Sequence, residues 1–230
     1  MKLGTKLVNL DTGDQHGATN TPVYLTNSFA QPTAEKLEKI FNQQAPGYIY
    51  SRINNPSVRN VEEKLADIEG GQEAILTASG MAAISTATLS LLQAGDQFVA
   101  TSSLFGGTYN LFNSYRDYGI TPRFSSGVEV EDIEAELTEE TKFVFLETLG
   151  NPKLDVPDIK GIAQLCKTAE IPLLVDSTMT TPALIRPLEL GADIVIHSTS
   201  KYINGTANSI GGVIVDGGSF DKIKRTLNPS

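Results

Sequence analysis

The sequence is poor in the residues that build covalent and metal crosslinks. Among 230 residues it has one cysteine, two histidines and no tryptophan. Because Cys166 stands alone, no disulfide can form within the chain, and no apolar signal segment follows Met1, so we expect a reducing, cytoplasmic setting. His16 and His197 are the only imidazoles, and without a Cys/His cluster we expect no structural zinc site.

Positive charge and long apolar runs are scarce as well. Lysine and arginine number 18 against 27 acidic residues, which gives a net charge of -9 and an isoelectric point near 4.7. This balance argues against a nucleic acid or an anionic membrane as partner, although a local cationic pocket for a phosphate stays open. No apolar run approaches the roughly 20 residues of a membrane span.

What the sequence does have, from Ser57 onward, is an alternation of short apolar strands and amphipathic helices. This pattern predicts an α/β fold with a mostly parallel sheet that helices cover on both faces. The predicted strands are 73–78, 96–101, 121–126, 142–148, 172–178, 192–198 and 211–217. The predicted helices are 58–70 with Ser57 as N-cap, 80–95, 107–119, 130–138 and 158–170.

The first fifty-odd residues have a different character. Residues 17–29 are rich in Thr, Asn and Pro without a helical period, which predicts an extended arm with turns. A short helix is expected from Thr33. We therefore predict two parts, an arm at 1–56 and an α/β domain at 57–230.

Ligands of parallel sheets bind beyond the carboxyl ends of the strands, so the residues that follow each strand are candidates. Ser79–Ile84 (SGMAAI) forms a small turn that opens a helix; it could bind phosphate or simply be a tight turn. Phe105 could stack on a flat ligand or belong to the core. Asp176 closes an apolar strand, where a carboxylate needs a cation, a metal or a protonated ring nitrogen unless it caps the next turn.

Lys201 lies among small hydroxyl residues directly after another apolar strand. A lysine becomes a nucleophile when its pKa falls, although most lysines are simply solvated. Taken together, the strand ends offer a phosphate site, a ring-stacking aromatic, a carboxylate and a lysine. These are the requirements of pyridoxal 5′-phosphate (PLP), whose ring is an electron sink that an Asp at its nitrogen keeps charged.

Six motifs in order carry a family resemblance: YSRINNPS, TASGMAAI, SSLFGGTY, ETLGNP, LLVDST and HSTSKYINGTANSIGG. The chain resembles the Cys/Met-metabolism family of PLP-dependent enzymes, which includes transsulfuration enzymes, methionine γ-lyase and O-acetylhomoserine sulfhydrylase. The likeness covers almost the whole chain. It implies a fold-type I PLP-dependent transferase, a small amino-acid substrate such as O-acetylhomoserine, methionine or cystathionine, and a cytoplasmic homo-oligomer, a dimer of dimers.

The resemblance also implies roles for individual residues. Lys201 would bind the cofactor aldehyde and act as the catalytic base, and Asp176 would pair with the ring nitrogen. Phe105 would stack on the ring as a second catalytic residue, and Asn151 would lie near the phenolic oxygen. Glu147 would lie behind the residues that contact the cofactor. The residues implied in phosphate binding are Ser79, Gly80, Met81, Ser198 and Ser200, with Tyr50 and Arg52 reaching across from a neighbouring subunit.

Three departures from the family pattern bear on activity. Phe105 stands where relatives usually carry a tyrosine whose hydroxyl is credited with proton transfer to the leaving group. Gly205 and Thr206 stand where several relatives carry Gly-His. The chain also lacks the family's C-terminal domain, which predicts weak or no turnover by these 230 residues alone.

The residues of two motifs, SSLFGGTYNLF and KYINGTANSIGG, most resemble the O-acetylhomoserine sulfhydrylase branch. This resemblance favours γ-replacement, which makes homocysteine or methionine. Methionine γ-lyase and cystathionine γ-synthase or lyase are alternatives, because the residues named above serve all of these reactions. From another class, a catalytically incomplete subunit or half of a split enzyme remains open. A dinucleotide-binding dehydrogenase is disfavoured, because no G-x-G-x-x-G opens a helix after a strand.

Overall fold

A computed structural model describes residues 2–8 and 18–219 of the chain. The chain divides into two units, Met1–Lys64 and Leu65–Ser230. His16 and Gly17 lie outside the described residues. The role of residues 1–56 as an arm for a neighbouring subunit stays a prediction.

The first unit contains short helices separated by irregular backbone. Helix α1 spans Leu3–Val8, which the sequence analysis did not anticipate, and no helix occurs between residues 18 and 33. Ser28 and Tyr50 form an antiparallel bridge. Helix α2 spans Ala34–Phe41, and its predicted start is confirmed because the Thr33 side chain accepts a hydrogen bond from the Lys36 N–H.

The prediction that Ser57 is the N-cap of helix α3 is wrong. This helix spans Pro56–Glu69 and therefore begins before Ser57. The Asn55 side chain accepts the Ser57 N–H at 2.8 Å, as an N-cap residue does, while the Ser57 hydroxyl accepts the Tyr24 N–H at 2.8 Å. Proline at the first helical position explains the earlier start, since its missing N–H is not needed there.

The second unit is built around a seven-stranded sheet, and all seven predicted strands are present. The strand order is β1-β7-β6-β5-β4-β2-β3, with β7 antiparallel to both neighbours and the other pairs parallel. The strands are β1 Glu73–Thr77, β2 Gln97–Ala100, β3 Thr121–Phe124, β4 Thr141–Glu147, β5 Leu173–Asp176, β6 Ile194–His197 and β7 Gly212–Asp216.

Both faces of this sheet are buried. Phe98, Phe143 and Phe145 form one core cluster together with residues of α4 (Gly80–Leu89) and α5 (Gly106–Ser114). Val144 and Val195, which point to the opposite face, are fully buried too. Helix α7 (Ile159–Thr168) contacts β5. The remaining helices are α6 Val130–Glu134, α8 Thr181–Leu184 and the 3₁₀ turns Tyr115–Tyr118 and Pro187–Leu190.

Helix α4 is shorter than predicted. It ends at Leu89, whereas the apolar period continues to Leu92 and predicts an end at Gly95. Leu91 and Leu92 pack against the core as part of a turn instead, and the Asp96 side chain accepts the Gln93 N–H at 2.8 Å. Within the described ranges no helix combines the length and the apolar character that crossing a membrane requires.

Candidate active site

A cavity of about 760 Å³ lies in the second unit beside the carboxyl ends of β4, β5 and β6. It brings together nine of the eleven predicted site residues. They are Ser79, Gly80, Met81, Phe105, Asn151, Asp176, Ser198, Ser200 and Lys201. The other two, Tyr50 and Arg52, belong to the first unit, where the Arg52 guanidinium carbon lies 5.4 Å from the centre of the Tyr50 ring.

One wall of the cavity is the N-terminus of α4. The Ser79 side chain caps this helix by accepting the Ala82 N–H at 3.1 Å. Gly80 lies against Ser198 so closely that an added Cβ would be 2.5 Å from the Ser198 Cβ. The first N–H groups of a helix have no partner within the helix, so those of Gly80 and Met81 are suited to hold a phosphate.

The turn after β6 supplies the hydroxyls and the lysine. The Ser198 N–H donates to the Thr178 hydroxyl at 2.8 Å, which fixes the start of this turn. The Ser200 hydroxyl donates to the Gly211 carbonyl at 3.1 Å and accepts the Gly211 N–H at 2.9 Å. Its single proton is therefore already donated, and its contact with a phosphate stays a prediction.

Lys201 follows directly in this turn, and its N–H donates to the Ser198 carbonyl at 3.2 Å. Among the described residues that line the cavity, it is the only lysine or arginine. Tyr202 lies beside it on the same wall. The end of a buried strand thus places the lysine at the cavity, as the sequence predicts.

Asp176 ends β5 and is 9% exposed. Burial raises the pKa of its carboxyl, while hydrogen bonds from Thr178 and the electrostatic interaction with nearby His197 oppose the rise. The Thr178 N–H donates to Asp176 Oδ1 at 2.9 Å. His197 is itself fully buried, with Nε2 2.5 Å from Glu69 Oε1.

Glu147 belongs to the lining of the cavity, although the resemblance implies a place behind the residues that contact the cofactor. It lines the cavity at the end of β4, and its Oε1 accepts the Phe105 N–H at 2.8 Å. Burial, together with the charge of Asp176, raises the pKa of Glu147 to about 8. Phe105 is half exposed at the start of α5, where a ring that stacks on a ligand is accessible.

Sequence reasoning missed several lining residues, notably Thr108. Its side chain is fully buried, and Oγ1 has no hydrogen-bond partner among the described residues. Its spacing from Phe105, about one helical turn, is the signal that could have indicated it. The other lining residues not predicted are Ile84, Leu149, Thr178, Met179, Tyr202, Gly205, Ala207 and Ile210.

The residues present fit PLP. A buried carboxylate at Asp176 needs a positive partner, which the protonated ring nitrogen of the cofactor supplies. The close approach of Gly80 and Ser198 leaves backbone N–H groups rather than a side chain at the α4 N-terminus. Lys201 lines the same cavity and would offer an amine to the aldehyde.

Comparison with known proteins agrees with this geometry. The family model described as Cys/Met metabolism PLP-dependent enzyme matches residues 4–228. Homocysteine synthase of Schizosaccharomyces pombe is 45% identical over 87% of this chain and 47% of its own length. O-acetyl-L-homoserine sulfhydrylase of Leptospira meyeri is 40% identical over 93% of this chain and 50% of its own.

A crystal structure has the same fold over most of this chain. It is named as an O-acetylhomoserine (thiol)-lyase of Campylobacter jejuni and carries a pyridoxyl-lysine phosphate. Its TM-score is 0.91 at 30% identity, covering 97% of this chain and 56% of its own. The chain spans about half the length of the curated relatives it matches. Because the family model matches residues 4–228, nearly the whole length, the chain belongs to the Cys/Met-metabolism family of PLP-dependent enzymes.

Proposed function

We propose that the protein containing this chain is an O-acetylhomoserine sulfhydrylase-type enzyme of homocysteine or methionine synthesis. The observation that carries the proposal is the convergence of Lys201, Asp176, Phe105 and the α4 N-terminus on one cavity. The names of the two relatives and of the solved structure support the choice of reaction.

In this proposal the chain holds and orients PLP, which when bound withdraws electrons from the α-carbon of an amino acid. Asp176 keeps the ring nitrogen charged, and Phe105 covers one face of the ring. The N–H groups of Gly80 and Met81 hold the phosphate. The Lys201 amine takes the proton from the α-carbon and returns it later in the reaction.

The overall reaction exchanges one bond at the γ-carbon. The bond to the acetate oxygen breaks, a bond to the sulfur of sulfide or a thiol forms, and acetate leaves with the electron pair. The hydroxyl expected to assist the leaving group is missing at Phe105. We infer that another group moves that proton or that elimination is slow.

We also propose that the protein is a dimer of dimers located in the cytoplasm. Tyr50 and Arg52 of a neighbouring subunit would then reach the phosphate, and a guanidinium offers two parallel hydrogen bonds to phosphate oxygens. The exposure of both side chains in the first unit supports this role.

The test is to add PLP to the purified chain, record visible absorbance, reduce with borohydride and map the labelled peptide. We expect a yellow species and label on Lys201, with Lys201→Ala unlabelled and the exposed Lys153→Ala labelled like the wild type. A folded chain without label on Lys201 would overturn the proposal. Homocysteine formed from O-acetylhomoserine and sulfide by the full-length protein supports sulfhydrylase, whereas only 2-oxobutanoate from methionine indicates a lyase.

A further inference from the structure

Two buried carboxyl groups stand side by side at the edge of the cavity. Glu147 and Asp176 are partners in the register of the parallel strands β4 and β5, so their side chains leave the sheet on the same side. Glu147 is 7% exposed and Asp176 9% exposed. Two neighbouring carboxylates in such surroundings cannot both ionise easily, so this geometry favours one negative charge on the pair over two.

The hydrogen-bond donors around the two groups decide which one keeps the charge. Asp176 accepts hydrogen bonds from Thr178 and lies near His197 on the end of β6. Within the described residues Glu147 accepts one hydrogen bond, from the Phe105 N–H, so its charge is less well stabilised. A cofactor ring nitrogen at Asp176 adds a cation on that side, which leaves the proton on Glu147.

Other charged and titratable groups lie near the pair on the neighbouring elements. Lys201 and Tyr202 line the same cavity from the turn after β6. His197 lies on β6 and is paired with Glu69 of α3. Asp176 raises the pKa of Glu147, in addition to burial, and the Phe105 N–H opposes this rise.

We propose that Glu147 is a positioning residue that stays protonated at neutral pH, holding the N-terminus of α5 and the Phe105 ring while leaving Asp176 as the anion that faces the cofactor. Its Oε1 does the first task, because it accepts the backbone N–H of the stacking residue itself. Its proton does the second, because a neutral neighbour does not compete for the positive ring nitrogen. The cofactor part of this inference rests on the proposed function.

The first experiment measures the proton directly in the full chain without cofactor. Glu147→Gln keeps an oxygen acceptor for the Phe105 N–H but has no ionisable proton. In the infrared difference spectrum between wild type and this variant, we expect the C=O band of a protonated carboxyl at pH 7. The band should disappear as the pH rises through about 8. A carboxylate band at pH 7 would overturn the proposal.

The second experiment uses the pH dependence of unfolding. A folded pKa of about 8 against an ordinary 4.5 means that the folded state binds one more proton between these values. The free energy of unfolding of the wild type therefore falls as the pH rises through that window. Relative to Glu147→Gln, its unfolding equilibrium constant should increase by up to about tenfold per pH unit. Glu139→Gln, at an exposed position before β4, should show the pH dependence of the wild type. Parallel pH profiles for Glu147→Gln and the wild type would overturn the proposal.

The third experiment tests positioning by PLP affinity. Glu147→Leu leaves the Phe105 N–H without its acceptor, and we expect it to bind PLP about tenfold more weakly than Glu147→Gln. Equal weakening in both variants would show that Glu147 serves as an anion, which contradicts the proposal. If Glu147→Leu does not fold, the infrared and unfolding experiments still decide whether Glu147 is protonated. If the wild type binds no PLP, the proposed function fails, while the proton on Glu147 is still tested without cofactor.

Discussion

Burial controls the reactivity of individual side chains in this protein, and Cys166 is a simple case. This residue lies on α7 with 1% of its surface exposed. Burial, together with the charge of Asp193, raises the pKa of its thiol to about 12. Since the thiolate is the nucleophile, we expect no reaction with a thiol reagent in the folded chain at pH 8 and full reaction in urea. Rapid labelling of the folded chain would contradict this prediction.

The family resemblance implies a tyrosine at the position of Phe105, so we expect one hydroxyl to be missing there. The ring is half exposed beside a roomy cavity, so a tyrosine hydroxyl can be added there without a large steric cost. We expect Phe105→Tyr to raise the rate of γ-substituent loss in the full-length protein by about a hundredfold, a common contribution of a positioned acid. Unchanged rates on O-acetylhomoserine and on methionine would show that the hydroxyl has no role here.

At the scale of single elements, the turn from β1 into α4 depends on glycine. In Gly80→Ala the new methyl would approach Ser198 side-chain and backbone atoms to within 3 Å. We expect a loss of roughly 1–3 kcal/mol in the free energy of unfolding and weaker PLP binding, because the turn after β6 must move. Urea unfolding and PLP titration measure both effects.

Gly106→Ala is the matched control for that substitution. Gly106 is likewise the first residue of a helix, α5, but apart from its chain neighbours and its own helix backbone no described atom lies within 4 Å of its added methyl. We expect its stability to be unchanged or higher by up to about 1 kcal/mol. Equal losses in the two variants would mean that helix starts in general, rather than the contact with Ser198, limit substitution.

Elements were easier to predict from the sequence than their ends. Short runs such as FVFL in β4 and LLVD in β5 indicated buried parallel strands, and both are fully buried. The end of α4 was missed because Leu91 and Leu92 continue its apolar period, although they pack against the core from a turn. Periodicity records which residues are buried and does not record the backbone geometry that buries them.

Some residues of the site could be predicted from the sequence, and others could not. Asp176 could be found because a carboxylate that ends an apolar strand needs a partner, and Lys201 because it follows an apolar strand among small hydroxyl residues. Thr108 and the position of Glu147 could not, because each depends on which neighbouring element faces it. Glu147 gains its importance from Asp176 across the strand pair, at a separation in sequence that no local pattern reveals.

At the scale of the whole molecule, the untested question is whether one copy of the chain completes the site of another. Lys201 belongs to the second unit and Arg52 to the first. If Arg52 binds phosphate in a neighbouring subunit, Arg52→Ala should weaken PLP binding about tenfold or more, the effect of losing a charged hydrogen bond.

Mixing two variants shows whether the Arg52 at a site comes from the same copy of the chain as Lys201 or from a neighbouring copy. A mixed dimer of Arg52→Ala and Lys201→Ala has one site with both Lys201 and Arg52 if these residues come from different copies. With limiting PLP and time for subunit exchange, borohydride should then label the Arg52→Ala chain more strongly in the mixture than alone. If both residues come from the same copy, no site in the mixture has both. Labelling would then not rise, and residues 1–56 would lose their proposed role as an arm for a neighbour.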